Sequence, residues 1–175
     1  MTGMHDTDDL IPDLRIANGR VRPDAEYDVL LFTDGACTGN PGPGGWACIL
    51  RHVQSGSERK LSGGEGQTTN NRMELQAVIE GLQTLKRKCK VKVVTDSQYV
   101  QLGITQWVSK WIRNDWRKGS KASSEPVKNA EYWKTLVDLC RRHDVTFQHV
   151  RGHAGHPENE ECDRMAVAEA ERFRR

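Results

Sequence analysis

The chain has 175 residues, 36% of them hydrophobic and 29% charged, with a formal net charge of +2. That balance suits one globular domain with a sizeable core. No apolar run is long enough to span a bilayer. The acidic, polar residues 1–10 do not resemble a secretory leader, so the expected compartment is the cytoplasm. Residues 1–28 carry seven acids against three arginines, a net −4 that leaves +6 on the remainder. A basic body behind an acidic extension points to a polyanionic partner.

Residues 1–27 show no clear period, and Ile11, Leu14, Ile16 and Val21 are their only apolar anchors. They predict a disordered or loosely packed extension ahead of a body spanning residues 28–175. Val29–Thr33 reads as a strand that stops at Asp34. Asn40 to Gly45, rich in glycine and proline, reads as a turn. Trp46–Leu50 and Glu58–Ser62 complete an antiparallel meander.

The period then becomes helical, with Leu75, Val78, Ile79, Leu82 and Leu85 on one stripe. Thr69 and Asn70 are candidate caps. Lys86, Arg87 and Lys88 are expected in the last turn, where the helix dipole favours cations. Val91–Thr95 is a strand stopping at Asp96, and a helix is expected from about Ser97. A tryptophan-rich basic segment follows from Trp107 to about Lys128. Glu131–Arg142 reads as a helix, Val145–Val150 as a strand and Glu158–Phe173 as a closing helix. Strands alternating with helices imply parallel pairing in the second half. The expected fold is α/β, a mixed sheet of about five strands flanked by helices.

Cys37, Cys48, Cys89, Cys140 and Cys162 are odd in number, scattered and without a Cys-x-x-Cys pair. They read as free thiols and argue against a disulfide framework or a zinc ribbon.

An acid ending a buried strand is costly unless something neutralises it. Strand ends in α/β sheets are also where ligands bind. Asp34 and Asp96 therefore suggest a hard cation held by carboxylates. Glu74 shares a helical stripe with Ala77, Val78 and Gly81, whose small members let it approach the sheet. The bland alternative is an acid favoured by the helix dipole. Asp163 taken alone is an ordinary helix acid. The loop Gly152-His153-Ala154-Gly155-His156-Pro157 carries histidines suited to proton transfer or product release. A zinc site from His149, His153 and His156 is a weaker alternative. His5, His52 and His143 read as surface residues.

Four segments resemble motifs of bacterial type 1 ribonuclease H: Asp34 to Gly45, Thr68 to Leu75, Thr95 to Val100, and Gly152 to Glu160 with Cys162-Asp163. The resemblance covers about residues 28–170. It implies a three-layer fold and hydrolysis of the RNA strand of RNA/DNA hybrids, leaving 5′-phosphate and 3′-hydroxyl ends. It assigns Asp34, Glu74, Asp96 and Asp163 as ligands of two Mg²⁺ ions, with Mn²⁺ as substitute, and His153 to proton transfer or product release. It also places Thr69 at a DNA-phosphate pocket and Cys37, Asn40, Asn71 and Gln98 along the groove. Asn70 lies beside them, and amides and hydroxyls there can bond 2′-hydroxyls and phosphates.

Trp107, Trp111 and Trp116 sit among Lys110, Arg113, Arg117, Lys118, Lys121 and Lys128. Trp107 and Trp111 are one helical turn apart and are expected to pack inward. The segment resembles the family's basic protrusion, a cationic arm laid on nucleic-acid backbone. Rival readings are another two-metal nuclease of the same fold, of resolvase or exonuclease type, and a hybrid-binding module without catalysis. A monomer is the default state.

Overall fold

The structure is a computed structural model and describes residues 19–119, 125–152 and 155–174. Five strands form one mixed sheet: β1 (Val29–Cys37), β2 (Gly42–His52), β3 (Glu58–Thr68), β4 (Lys90–Thr95) and β5 (Asp144–His149), in the order β3-β2-β1-β4-β5. β1 pairs antiparallel with β2, and β2 with β3; β1 pairs parallel with β4, and β4 with β5.

Side-chain alternation along β1 divides the core. Val29 and Leu31 join Val91, Val93, Val145 and Phe147 on one face. That face packs on α1 (Asn70–Gln83) through Leu75, Val78 and Leu82, and on α4 (Ala130–Arg142) through Trp133 and Leu136. Leu30 and Phe32 face the other way, onto Cys162 and Ala166 of α5 (Pro157–Arg172). The layers are therefore helices, sheet and a single long helix.

The expected helix from Ser97 is broken. It runs as α2 (Gln98–Leu102), a π-helical turn (Gly103–Trp107) and α3 (Val108–Arg113). Gly103 lies against the Trp133 indole, with no room for a Cβ. Trp107, Trp111 and Trp116 stack in turn, with centroids 5.9 and 6.2 Å apart. Trp111 also meets Trp133 at 5.5 Å, so the tryptophans extend the core into the basic segment.

Several expectations are corrected. Asn40 to Gly45 is only partly a turn, because β2 begins at Gly42. Glycine there serves close approach: a Cβ on Gly45 would stand 2.1 Å from the Ala166 carbonyl and 2.7 Å from the Ala170 amide. β1 does not stop at Asp34 but continues to Cys37, so this acid lies inside a strand. β3 runs on to Thr68. Thr69 caps α1, accepting from the Arg72 amide at 3.2 Å, and Asn70 is the first helical residue. Lys86, Arg87 and Lys88 lie beyond the helix, which ends at Gln83. His143 is buried, not superficial: its Nδ1 accepts from the Cys89 amide at 3.1 Å, and burial lowers its pKa.

Ahead of the body, Arg22 reaches Asp144 at 3.6 Å and Tyr27 is buried on the α5 side. Asp24 pairs with Lys92. Ile11, Leu14 and Ile16 lie outside the described residues.

Gly45 allows a direct test of the α5 packing. Gly45→Ala puts a methyl group into backbone that cannot rotate away. Overpacking of this kind costs about 1–3 kcal/mol. For a chain of this size that lowers the melting temperature by about 2–4 °C per kcal/mol, readable in a thermal scan. An unchanged melting temperature would show that α5 can move off the sheet freely.

Candidate active site

Close packing of α1 on β1 builds the centre of the site. A Cβ on Gly35 would fall 2.5 Å from the Glu74 amide nitrogen, so only glycine lets the helix sit this near the strand. The consequence is that Glu74 and Asp34, each 5% exposed, share one buried space. Glu74 is the fifth residue of α1 and lies beyond its first turn, where the dipole adds little. Asp96 follows directly on β4, beside β1 in the parallel pair. Oxygen atoms of Asp34, Glu74 and Asp96 lie within 4.8 Å of one another.

Asp163, half-buried on α5, completes the border of a cleft of about 200 Å³ shared with Asp34 and Asp96. It stands outside the tight trio among the described residues.

The electrostatics are those of crowded acids. Burial, then the neighbouring Asp96 charge, pushes the Asp34 carboxyl up to about 7, although the Gly35 amide donates to its Oδ1 at 2.8 Å. Burial and the Asp34 charge raise Glu74 well above the ordinary carboxylate range. Asp96 is raised chiefly by burial and then by Asp163, while His149 opposes the shift. Glu74 Oε2 is buried with no hydrogen-bond partner in the protein. An orphaned carboxylate oxygen facing two more acids is the donor set a hard divalent cation takes, and it is costly without one.

The other sequence candidates surround this centre. Asn40 Oδ1 accepts from the Asn70 amide at 2.9 Å, tying the β1–β2 loop to the start of α1. Cys37 Sγ donates to the Thr68 carbonyl at 3.4 Å. Thr69 caps the helix, and Asn71 and Gln98 are exposed. Lys118 and Lys128 are exposed on the basic segment. That segment is held as a short ladder: the Lys118 amide donates to the Glu125 carbonyl at 3.0 Å, and the Val127 amide to the Trp116 carbonyl at 2.9 Å. Trp107, Trp111 and Trp116 are half-buried in the aromatic stack. His153 and Lys121 lie outside the described residues. Gly152, next to His153, passes so near Asp96 that a Cβ would stand 3.0 Å from its Oδ2.

Sequence reasoning missed part of the lining. Arg151, Asn159 and Arg164 border the cleft, and His156, one of the two loop histidines, joins them. Both polar atoms of the Asn159 side chain are buried without a protein partner. The available signal was spacing, since Asn159 lies one helical turn before Asp163 on the same face. His149, at the end of β5, places Nε2 3.0 Å from the Asp96 carbonyl oxygen.

Comparison with known proteins gives the family. The family model for RNase H matches residues 26–171. "Ribonuclease H" of Nitratidesulfovibrio vulgaris (strain DP4) is 52% identical over 149 residues, spanning 85% of this chain and 92% of the relative. That of Pseudomonas savastanoi pv. phaseolicola is 56% identical over 138 residues, spanning 79% and 89%. Among solved structures, LC9-RNase H1, a type 1 RNase H with the type 2 active-site motif, superposes with a TM-score of 0.73 at 33% identity, covering 83% of this chain and 72% of that one. LC11-RNase H1, solved in complex with RNA/DNA hybrid, shares the fold at 21% identity with a TM-score of 0.63, over 82% and 97%. With a family model over most of its length and relatives above half identity, the chain belongs to the RNase H family.

Proposed function

We propose that this chain is an endoribonuclease that hydrolyses the RNA strand of RNA/DNA hybrids. The observation that carries the reading is the meeting of Asp34, Glu74 and Asp96 within 4.8 Å, with Asp163 on the same cleft. These four acids would hold two Mg²⁺ ions, or Mn²⁺ in their place. Bound there, the ions would activate the attacking water and stabilise the departing 3′ oxygen, leaving 5′-phosphate and 3′-hydroxyl ends.

The chain's own residues do the rest. Glu74 and Asp34 supply buried charge that a divalent ion can satisfy. Asp96 and Asp163 stand nearer solvent, where the scissile phosphate enters. Gly152 passes beside Asp96, and His153, the next residue in sequence, would supply an imidazole for proton transfer or product release. Cys37, Asn40, Thr69, Asn70, Asn71 and Gln98 form the polar floor on which a hybrid's minor groove, 2′-hydroxyls and phosphates rest. Such a surface reads shape and sugar chemistry, not base order. The protein works as a monomer in the cytoplasm, with residues 1–27 an acidic extension of a catalytic body.

The test presents end-labelled RNA as a DNA hybrid, as an RNA duplex and as a single strand, beside a labelled DNA duplex, with and without Mg²⁺. Cleavage of the hybrid alone, dependent on the ion, is expected. Cleavage of duplex DNA in preference to hybrid would transfer the chain to another nuclease class. Tight hybrid binding without cleavage would make it a binding module.

The basic segment accounts for retention of substrate. Replacing Lys118, Lys121 and Lys128 by Gln is expected to weaken hybrid binding by about tenfold. It also flattens the log–log dependence on salt by about one for each lysine that touches phosphate. If affinity and salt slope both stay put, the segment is a core extension with a wet face and no part of the interface.

A further inference from the structure

At the end of the sheet away from the carboxylates lies a groove of about 430 Å³ that the proposed hydrolysis does not use. Val29, Leu50, Leu85 and Cys89 make an apolar floor, gathered from β1, β2 and the connection between α1 and β4. Arg59, Lys86 and Arg87 stand exposed on its rim. Among the described residues none of these three cations has an ion-pair partner, whereas Glu58 on the same rim is taken up by Arg51. Helix α1 runs nine residues on from Glu74 to its end at Gln83, about 14 Å of rise that separates the groove from the acids. An apolar trough with unneutralised cations suits a short peptide that alternates apolar and acidic side chains.

We propose that the occupant is the chain's own segment 6–16. It contains Asp6, Asp8, Asp9 and Asp13 interleaved with Leu10, Ile11, Leu14 and Ile16, and Arg15 is its one cation. A residue before proline disfavours helical backbone, and Ile11 precedes Pro12, which suits a groove that accepts extended chain. The body's described chain begins at Gly19 on the correct end of the molecule. Arg22 pairs with Asp144 at 3.6 Å, and the Asp144 amide donates at 3.0 Å to the carbonyl of Cys89, a residue of the groove wall. Nine residues of extended chain from Gly19 to Leu10 reach about 30 Å, ample to turn the edge of the sheet. Leu10 and Ile11 then lie on the floor, with Asp8, Asp9 and Asp13 against Arg59, Lys86 and Arg87. Tethering gives the segment an effective concentration near the millimolar range, so even modest intrinsic affinity keeps it seated.

The experiment compares the full chain with its L10D/I11D variant by amide ¹H–¹⁵N spectra. Shifts are expected around Val29, Leu50, Leu85 and Cys89, and none around Asp34 or Glu74. A synthetic peptide of residues 5–17 is then titrated into both. It is expected to bind the variant at least about tenfold more tightly than the unmodified chain, whose own segment competes. Adding Lys86→Glu and Arg87→Glu to the variant should abolish that binding. Identical groove resonances in the two chains would overturn the proposal. So would equal peptide affinity for both, which would leave the groove open to an acidic, apolar segment of another protein. Failure of the peptide to bind either form would overturn it as well.

Discussion

Asp34→Asn will yield a folded protein whose hydrolysis of hybrid RNA is slower by at least about a thousandfold, equivalent to roughly 4 kcal/mol of barrier. The substitution keeps the shape and the contact to the Gly35 amide but removes the charge at the centre of the trio. The Asp34 carboxyl feels Asp96, Glu74 and Asp163 together. No neighbour can take over its position, because it lies inside β1, opposite Ala47 of β2 and just past the last pair with β4. Hybrid binding should remain or tighten, since an anion facing phosphate has been removed. The measurement is single-turnover cleavage beside equilibrium binding, in Mg²⁺. A variant that retains a tenth of its cleavage rate would remove Asp34 from the chemistry.

Asp163→Asn supplies the graded contrast. Asp163 borders the cleft but is half-buried and outside the tight trio. Water can replace part of what an exposed ligand provides, so its loss should cost less, about ten- to a hundredfold. If both variants lose equally, the four acids act as one unit and burial does not rank them.

The fold was legible wherever side-chain period and length agreed. Leu75, Val78 and Leu82 mark α1 by helical spacing alone, and Val29–Thr33 and Val91–Thr95 mark the central strands. What escaped was set by packing. Gly44 and Gly45 carry the composition of a turn, yet they sit in β2, where the start of α1 presses on the first and α5 on the second. Asp34 reads as a strand terminus because a buried acid is expensive. In the structure the strand passes through it, and the cost is concentrated where an ion can offset it. His143 reads as superficial between charged neighbours, but its acceptor nitrogen is needed by the Cys89 amide. Asp34 and Asp96 stood out at strand ends and the resemblance completed the set, whereas Asn159 was given no role, although its spacing from Asp163 was in plain view. A neutral amide leaves no trace in charge patterning, and its burial without a partner emerges only in three dimensions.

Crowded carboxylates also make a thermodynamic prediction independent of turnover. Asp34 titrates at about 7 in the folded chain against 3.8 ordinarily, so between those values the folded state holds a proton that the unfolded state has released. Stability from this group is fully present below pH 3.8 and is lost as pH rises through about 7. Glu74 and Asp96 shift in the same direction. In a chelator the protein should therefore melt lower at pH 8 than at pH 5.5, by an amount equivalent to roughly 2–4 kcal/mol. His143 works in the opposite sense, because burial lowers its pKa from 6.5 and its protonation opposes folding at acid pH. Comparing variants at each pH cancels that contribution. Asp34→Asn should raise the melting temperature at pH 8 by several degrees, on the order of 2–4 °C per kcal/mol. At pH 5.5, midway through that window, the gain should be about half as large, and only below pH 3.8 should the substitution do little. Millimolar Mg²⁺ should stabilise the unmodified chain at pH 8, since an ion bound only by the folded state substitutes for the missing proton. The outcome that sinks this account is an Asp34→Asn chain melting at or below the unmodified one at pH 8 in chelator. The acids would then be held apart well enough to ionise together, and burial would impose no strain for a cation to relieve.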